Sequence, residues 1–140
     1  QDFGLHIAAV KVGWINDTVY VIADHGGYNI TTKTCVEQQN ARNWYRENFP
    51  TFCDPAGGER IQEIPGGVKA NNSVESGIDY IIALIERRKF FVCSTCKGVL
   101  SEIWDYARDE DNVIIKINDH YMDAMRYGIF SPVNSGVVIA

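Results

Sequence analysis

Two apolar segments near the start of the chain have the pattern of paired strands. Residues 5–14 are apolar and rich in β-branched side chains, and residues 18–23 repeat the pattern after a polar pair at 16–17 that is typical of a turn. This pattern predicts an antiparallel hairpin. The sequence His-Gly-Gly at 25–27 predicts a turn or bulge, and a short third strand is expected at 28–32.

Helical periodicity dominates the second half of the chain. Apolar residues at i, i+3, i+4 and i+7 predict an amphipathic helix with Ser73 as its N-cap, formed around Ile78, Ile81, Ile82 and Ile85. The same spacing predicts another helix around Leu100, Ile103, Trp104 and Ala107. A last helix is expected from about Asn118 to about Ile129, and residues 33–48 are weakly helical.

Short strands are expected between these helices. They fall at 51–53, near Val68 and at 90–92, the last of them as a buried strand. Hairpin strands followed by alternating helices and strands predict an α/β fold. Its sheet is mixed, with an antiparallel part and a parallel part, and is covered by helices.

Length and charge restrict the possible functions. The chain has 140 residues, enough for one domain with one core, and no apolar run approaches the ~20 residues of a membrane helix. The net charge of −5 argues weakly against a nucleic-acid surface, because phosphate binding requires Lys and Arg. A cluster of metal-binding carboxylates would give the same acidic balance.

The four cysteines do not form a familiar metal motif. Cys93 and Cys96 are a C-x-x-C pair, but no second close pair or pair of histidines accompanies them, and Cys35 and Cys53 are far apart in the sequence. We therefore expect buried structural thiols, with a metal site and a redox pair as the lesser alternatives.

Acidic residues occur where the predicted sheet could bring them together. Asp2 lies at or before the first strand, and Asp54 follows a short strand at the end where open α/β sheets place their ligands. On the last helix, Asp119, His120 and Asp123 fall on one face, opposite its apolar residues. From the residues alone, an ordinary solvated polar face is the favoured interpretation.

The last helix also carries a family resemblance. Residues 119–127, Asp-His-Tyr-Met-Asp-Ala-Met-Arg-Tyr, resemble the Asp-His-x-x-Asp-Ala-x-Arg-Tyr signature of phage terminase large subunits. Four further segments resemble motifs of that family in the same order: Asp2-Phe3-Gly4, Cys53-Asp54-Pro55-Ala56, residues 69–78 and residues 100–106. The departures are Cys53 before the second Asp, and His6 in place of a Thr- or Pro-rich stretch.

The resemblance implies a ribonuclease H-like fold and a metal-dependent endonuclease that cleaves double-stranded viral DNA during genome packaging. Its cofactors would be two divalent cations, Mg²⁺ or Mn²⁺, which prefer carboxylate oxygens. The implied ligands are Asp2, which would bridge the two ions, Asp54 and Asp123, with Asp119 as a further candidate. With His120, the three aspartates form the expected catalytic set.

Other residues are given roles with less support from the pattern. His120 could orient water, carry a proton or contact phosphate. We expect Asp119 to support the site from the first turn of its helix, and Glu102 to have a structural role. The candidates for phosphate contacts are Lys69, Arg87, Arg88 and Arg126.

The resemblance also implies partners and boundaries. The nuclease domain is expected at residues 1–131, followed by a C-terminal tail at 132–140. No Gly-x-x-x-x-Gly-Lys-Ser/Thr phosphate loop occurs, so the chain is expected to be the nuclease part alone. Its expected partners are double-stranded DNA, the packaging ATPase domain of the same protein, the portal and the small terminase subunit. No membrane is involved, and the expected location is the cytoplasm of the infected bacterial host.

Three alternatives stay open at the level of the sequence. A Holliday-junction resolvase or a transposase-type nuclease would use the same fold and carboxylates. A non-catalytic docking module of a viral motor would keep the fold without the chemistry. A secreted domain with two disulfides would pair the four cysteines.

Overall fold

A computed structural model describes residue 1 and residues 6–105, 110–111, 113 and 119–133. The expected Asp2 ligand therefore lies outside the described residues, as does the tail from residue 134 onward. Within the described part, no helix combines the length and the apolar character that crossing a membrane requires.

The predicted hairpin is confirmed, and its second strand is longer than expected. Strand β1 (His6–Ile15) pairs antiparallel with β2 (Thr18–Tyr28) around a turn in which Asn16 has a positive φ of 57°. The prediction of a turn at residues 25–27 and a third strand at 28–32 was wrong, because residues 25–27 continue β2 opposite Ala9, Ala8 and Ile7. A register shift lies instead between Lys11 and Val12.

The remaining strands form parallel pairs, as the mixed-sheet prediction requires. Strand β3 (Thr51–Cys53) pairs parallel with β4 (Gly67–Lys69), and β5 (Phe90–Val92) pairs parallel with β2. The described strands thus form a three-stranded sheet in the order β1-β2-β5 and a two-stranded sheet of β3 and β4.

In the part of the chain that the structure describes, four α-helices cover these strands. They are α1 (Thr32–Ala41), α2 (Val74–Glu86), α3 (Lys97–Asp105) and α4 (His120–Phe130). Helix α1 is shorter than the weakly helical segment 33–48 of the prediction. Ser73 holds the N-cap position of α2 but makes no side-chain cap hydrogen bond. A 3₁₀ segment (Pro55–Glu63), interrupted at Gly58, connects β3 to the turn before β4.

Helix α4 and the hairpin share the main core. The apolar face of α4 was predicted to contain Tyr121, Met122, Met125 and Ile129, and the last three are buried there with Val19 and Val21 of β2. Tyr121 is half-buried and packs against the same core. Helix α4 also contacts β1, β3, α2 and α3. Helix α4 is thereby held beside β3.

Burial differs from the predictions at three further places. Strand β5 is not a buried strand, since Phe91 is 50% exposed and stacks on Tyr20 at a ring distance of 5.5 Å. Pro132, assigned to a loose tail, is buried. All four cysteines are free thiols, of which Cys93 alone is exposed. This does not match the two-disulfide alternative.

We predict that Gly26→Ala destabilises the domain and that Gly13→Ala does not. A Cβ at Gly26 would lie 2.8 Å from the Ile7 carbonyl oxygen and 2.1 Å from the Tyr121 hydroxyl, so backbone or core must shift. At Gly13 the close atom is the end of the exposed Ile22 side chain, at 2.9 Å. Urea unfolding should show a loss of about 1–3 kcal/mol for Gly26→Ala only. Equal stabilities would contradict the packing described for Tyr121.

Candidate active site

Asp54 lies at the carboxyl end of β3, where the sequence analysis placed it. Its side chain accepts a hydrogen bond from the Ala56 backbone N–H at 2.9 Å and so caps the 3₁₀ segment. Its own backbone N–H donates to the Gln1 carbonyl oxygen at 2.9 Å. The residue that precedes Asp2 in the sequence is therefore hydrogen-bonded to Asp54.

A buried polar network holds Gln1 in this position. Gln39 of α1, which is fully buried, donates from Nε2 to Gln1 Oε1 at 3.3 Å, and Nε2 is 3.2 Å from His25 Nδ1. The Tyr45 hydroxyl donates to Gln39 Oε1. These contacts connect α1 and β2 to Gln1, the residue that is hydrogen-bonded to Asp54.

Glu102 of α3 caps helix α4, a function that the sequence analysis had considered for Asp119. Asp119 is the N-cap residue but makes no side-chain cap hydrogen bond. Instead, Glu102 Oε2 accepts from the backbone N–H groups of Tyr121 at 2.7 Å and Met122 at 3.0 Å. The expected structural role of Glu102 is thus confirmed. Capping at a helix N-terminus satisfies N–H groups that the helix itself leaves without acceptors.

Burial changes the acidity of Glu102. Its exposed fraction is 7%, and loss of hydration raises the pKa of its carboxyl group to about 7. The two backbone N–H donors and the nearby His120 oppose that rise, and Asp119 adds to it.

Asp123 lies one turn into α4 and is paired with Arg126. Arg126 Nη2 is 3.1 Å from Asp123 Oδ1 and 3.2 Å from Asn72 Oδ1. Asp123 is half-buried, with 14% of its side chain exposed, whereas Arg126 is 2% exposed. The backbone N–H of Asp123 already donates to the Asp119 carbonyl oxygen at 2.8 Å, so capping does not account for this carboxylate.

His120 contacts His6, which the sequence analysis named only as a departure from the family pattern. The rings of His6 and His120 are edge-to-face at a distance of 4.8 Å, and His6 is 5.7 Å from the Tyr121 ring. Burial, and secondarily the charge of His120, lowers the pKa of His6. The substitution of His6 for the family's usual residues therefore does reach a candidate catalytic side chain.

Sequence comparisons find relatives among packaging proteins. No family model matches the chain. It is 46% identical over 57 residues to the terminase large subunit of Salmonella phage P22, an alignment that covers 41% of this chain and 11% of the relative. It is 24% identical to the terminase large subunit of Escherichia phage T5 over 89% of this chain and 32% of the relative. The chain thus spans a third or less of these relatives.

The solved P22 large terminase nuclease domain has the same fold. It superposes with a TM-score of 0.77 at 25% identity, covering 94% of this chain and 78% of that one. In sequence and in fold, this chain is similar to the nuclease domain of phage terminase large subunits. The SPP1 large terminase nuclease domain, solved with bound Mn, gives a TM-score of 0.74 at 16% identity, covering 94% and 84%. The predicted ribonuclease H-like class is confirmed.

The basic residues chosen as phosphate contacts differ in their exposure. Lys69, Arg87 and Arg88 are exposed, and their contact with DNA stays a prediction. Arg126 does not fit that role, because its guanidinium is buried against Asp123 and the face of the Tyr127 ring. The sequence carried one signal of this pairing, the i, i+3 spacing of Asp123 and Arg126 on one helix face.

The predicted ligand set is only partly described by the structure. Among the residues that the structure describes, no three His, Cys, Asp or Glu side chains form a group that could hold a metal ion. Asp54 directly follows β3, which contacts α4, the helix that carries Asp123, and Asp2 is outside the described residues. The assignment of the three ligands stays a prediction.

We predict that Glu102→Gln flattens the pH dependence of stability in metal-free buffer. Because the folded pKa of Glu102 is raised, its contribution is fully present below about pH 4.5 and is lost as the pH rises through about 7. The glutamine amide oxygen can still cap α4. At pH 8 the variant should therefore be more stable than the wild-type chain, by on the order of 1–3 kcal/mol. Parallel curves of unfolding free energy against pH for the two proteins would refute this.

Proposed function

We propose that this chain is the nuclease part of a phage packaging terminase and hydrolyses phosphodiester bonds of double-stranded DNA with the help of divalent cations. The observation that carries the proposal is the placement of Asp54 and Asp123. They lie at the end of β3 and on the half-buried polar face of α4, two elements in contact, within a fold similar to that of the P22 and SPP1 terminase nuclease domains. The SPP1 nuclease domain was solved with bound Mn.

The donor set suits hard divalent cations. Carboxylate oxygens are the preferred ligands of Mg²⁺ and Mn²⁺. Asp54, Asp123 and Asp2 would hold the cations, with Asp119 as a further candidate. Bound there, two such ions would activate the attacking water and stabilise the leaving oxygen.

The chain's own residues prepare the site in three ways. The Ala56 N–H fixes the Asp54 carboxylate, and Arg126 fixes that of Asp123. Glu102 anchors the first turn of α4, which carries His120. Edge-to-face contact with His6 limits the orientations of the His120 ring, which we propose orients water or moves a proton at the scissile phosphate.

The proposed partners follow from the family. The substrate would be viral double-stranded DNA in the host cytoplasm, and the ATPase domain of the same protein, the portal and the small terminase subunit would be its neighbours in the motor. With a net charge of −5, the isolated domain should hold DNA weakly.

Cleavage by the isolated domain is the direct test. We expect nicking and linearisation of supercoiled plasmid in Mn²⁺ or Mg²⁺, and none in excess EDTA. Asp54→Asn should abolish cleavage while retaining the cap, because the asparagine oxygen can still accept from Ala56. Cleavage in EDTA would exclude metal dependence, and preference for branched over linear duplex would favour a junction resolvase. Folding without any cleavage or metal response would indicate a docking module.

Asp123 and Asp119 should differ in importance. We expect Asp123→Asn to abolish cleavage and Asp119→Asn to retain part of it, because Asp123 is positioned by Arg126 and Asp119 precedes the first turn. Asp123→Asn should also lower the melting temperature, since it removes the charge that compensates a buried guanidinium. Circular dichroism at the assay temperature separates loss of chemistry from loss of fold. If Asp123→Asn is active and Asp119→Asn is inactive, the third ligand is Asp119 and the assignment to Asp123 is wrong by one turn.

A further inference from the structure

Arg126 is an almost completely buried cation. Its exposed fraction is 2%, and its guanidinium carbon lies 4.8 Å from the centre of the Tyr127 ring. Nη2 donates to Asp123 Oδ1 and Asn72 Oδ1, whereas Nε and Nη1 are buried and make no hydrogen bond to any residue that the structure describes. A buried cation is costly unless an opposite charge compensates it. Asp123 supplies that charge, so the pair holds both side chains in place.

The aliphatic part of the Arg126 side chain, its stem, packs against Gly77 of α2. A Cβ at Gly77 would lie 2.7 Å from Arg126 Cγ and 2.9 Å from Cδ, so only glycine leaves room for the stem. Asn72, the second acceptor, belongs to the segment between β4 and α2. Arg126 is thus fixed from two sides, and its orientation does not depend on Asp123 alone.

We propose that Arg126 is a positioning residue that orients the Asp123 carboxylate for metal binding. This inference rests on the proposed function, in which Asp123 is a metal ligand. The guanidinium engages Oδ1 and thereby restricts rotation of the carboxylate, which fixes the direction from which a cation would meet it. Partners that orient a metal ligand in this way typically change metal affinity or activity about 10–100-fold when they are removed. Because Arg126 is buried, a role in positioning Asp123 suits it better than the phosphate contact that the sequence analysis expected.

The experiment measures Mn²⁺ binding directly, by titration calorimetry or by electron paramagnetic resonance of free Mn²⁺, on the folded domain. Arg126→Gln should weaken Mn²⁺ binding about 10–100-fold, and saturating Mn²⁺ should restore kcat with an unchanged KM for DNA. Arg126→Lys keeps the charge but loses the fork geometry, so its effect should be intermediate. Arg60→Gln, at an exposed arginine on the 3₁₀ segment, is the matched control and should bind Mn²⁺ as the wild-type domain does.

Two further variants keep the inference testable if Arg126→Gln folds poorly. Gly77→Ala retains the guanidinium but displaces its stem, and it should weaken Mn²⁺ binding in the same direction. In an Asp123→Asn background, Arg126→Gln should add no further loss of Mn²⁺ affinity, because the partner it orients is gone. Circular dichroism and melting temperature establish that each variant is folded.

The outcomes distinguish this inference from the proposed function. If the wild-type domain binds Mn²⁺ and cleaves DNA while folded Arg126→Gln and Gly77→Ala retain wild-type Mn²⁺ affinity, Arg126 is structural only and the inference is wrong. An additive loss in the Asp123→Asn background would also overturn it. A wild-type domain that neither binds Mn²⁺ nor cleaves DNA would overturn the proposed function and the inference together.

Discussion

The packing of α4 on the hairpin is the interaction on which the candidate site depends. Met122, Met125 and Ile129 are buried against Val19 and Val21, and this apolar face fixes the rotation of the helix. The opposite face, with Asp123, is then directed away from that core, and contact between α4 and β3 brings the helix near the end of the strand that carries Asp54. The hydrophobic core therefore sets where the carboxylates lie, before any cation is bound.

Electrostatics would oppose this arrangement without specific compensation. Carboxylates that share a site repel one another, and the domain has a net charge of −5. Three described carboxylates near the site have donors of their own: Asp54 accepts from Ala56, Glu102 from the first turn of α4, and Asp123 from Arg126. One of these donors belongs to the 3₁₀ segment, and the others belong to α4. The protein itself thereby holds these three carboxylates in place.

Local pattern predicted the hairpin, the three short strands and the apolar face of α4, because those features depend on side-chain periodicity. The local pattern failed to predict features that depend on a residue far away in the sequence. Strand β2 continues through Gly26 because a glycine there leaves space for Tyr121, which belongs to an element 95 positions later in the sequence. Glu102, and not the adjacent Asp119, caps α4, because α3 packs beside it. Arg126 is buried because Gly77 leaves room for its stem. The positions of residues around α4 alone could not predict this, because Gly77 belongs to α2.

The central claim is that Asp54 and Asp123 hold divalent cations at the junction of β3 and α4. The most direct test is a crystal structure of the domain soaked in Mn²⁺ and measured at a wavelength where manganese scatters anomalously. The account predicts anomalous peaks about 2 Å from the carboxylate oxygens of Asp54 and Asp123. Peaks elsewhere, or a fully ordered domain at high Mn²⁺ without a peak at these two side chains, would contradict it.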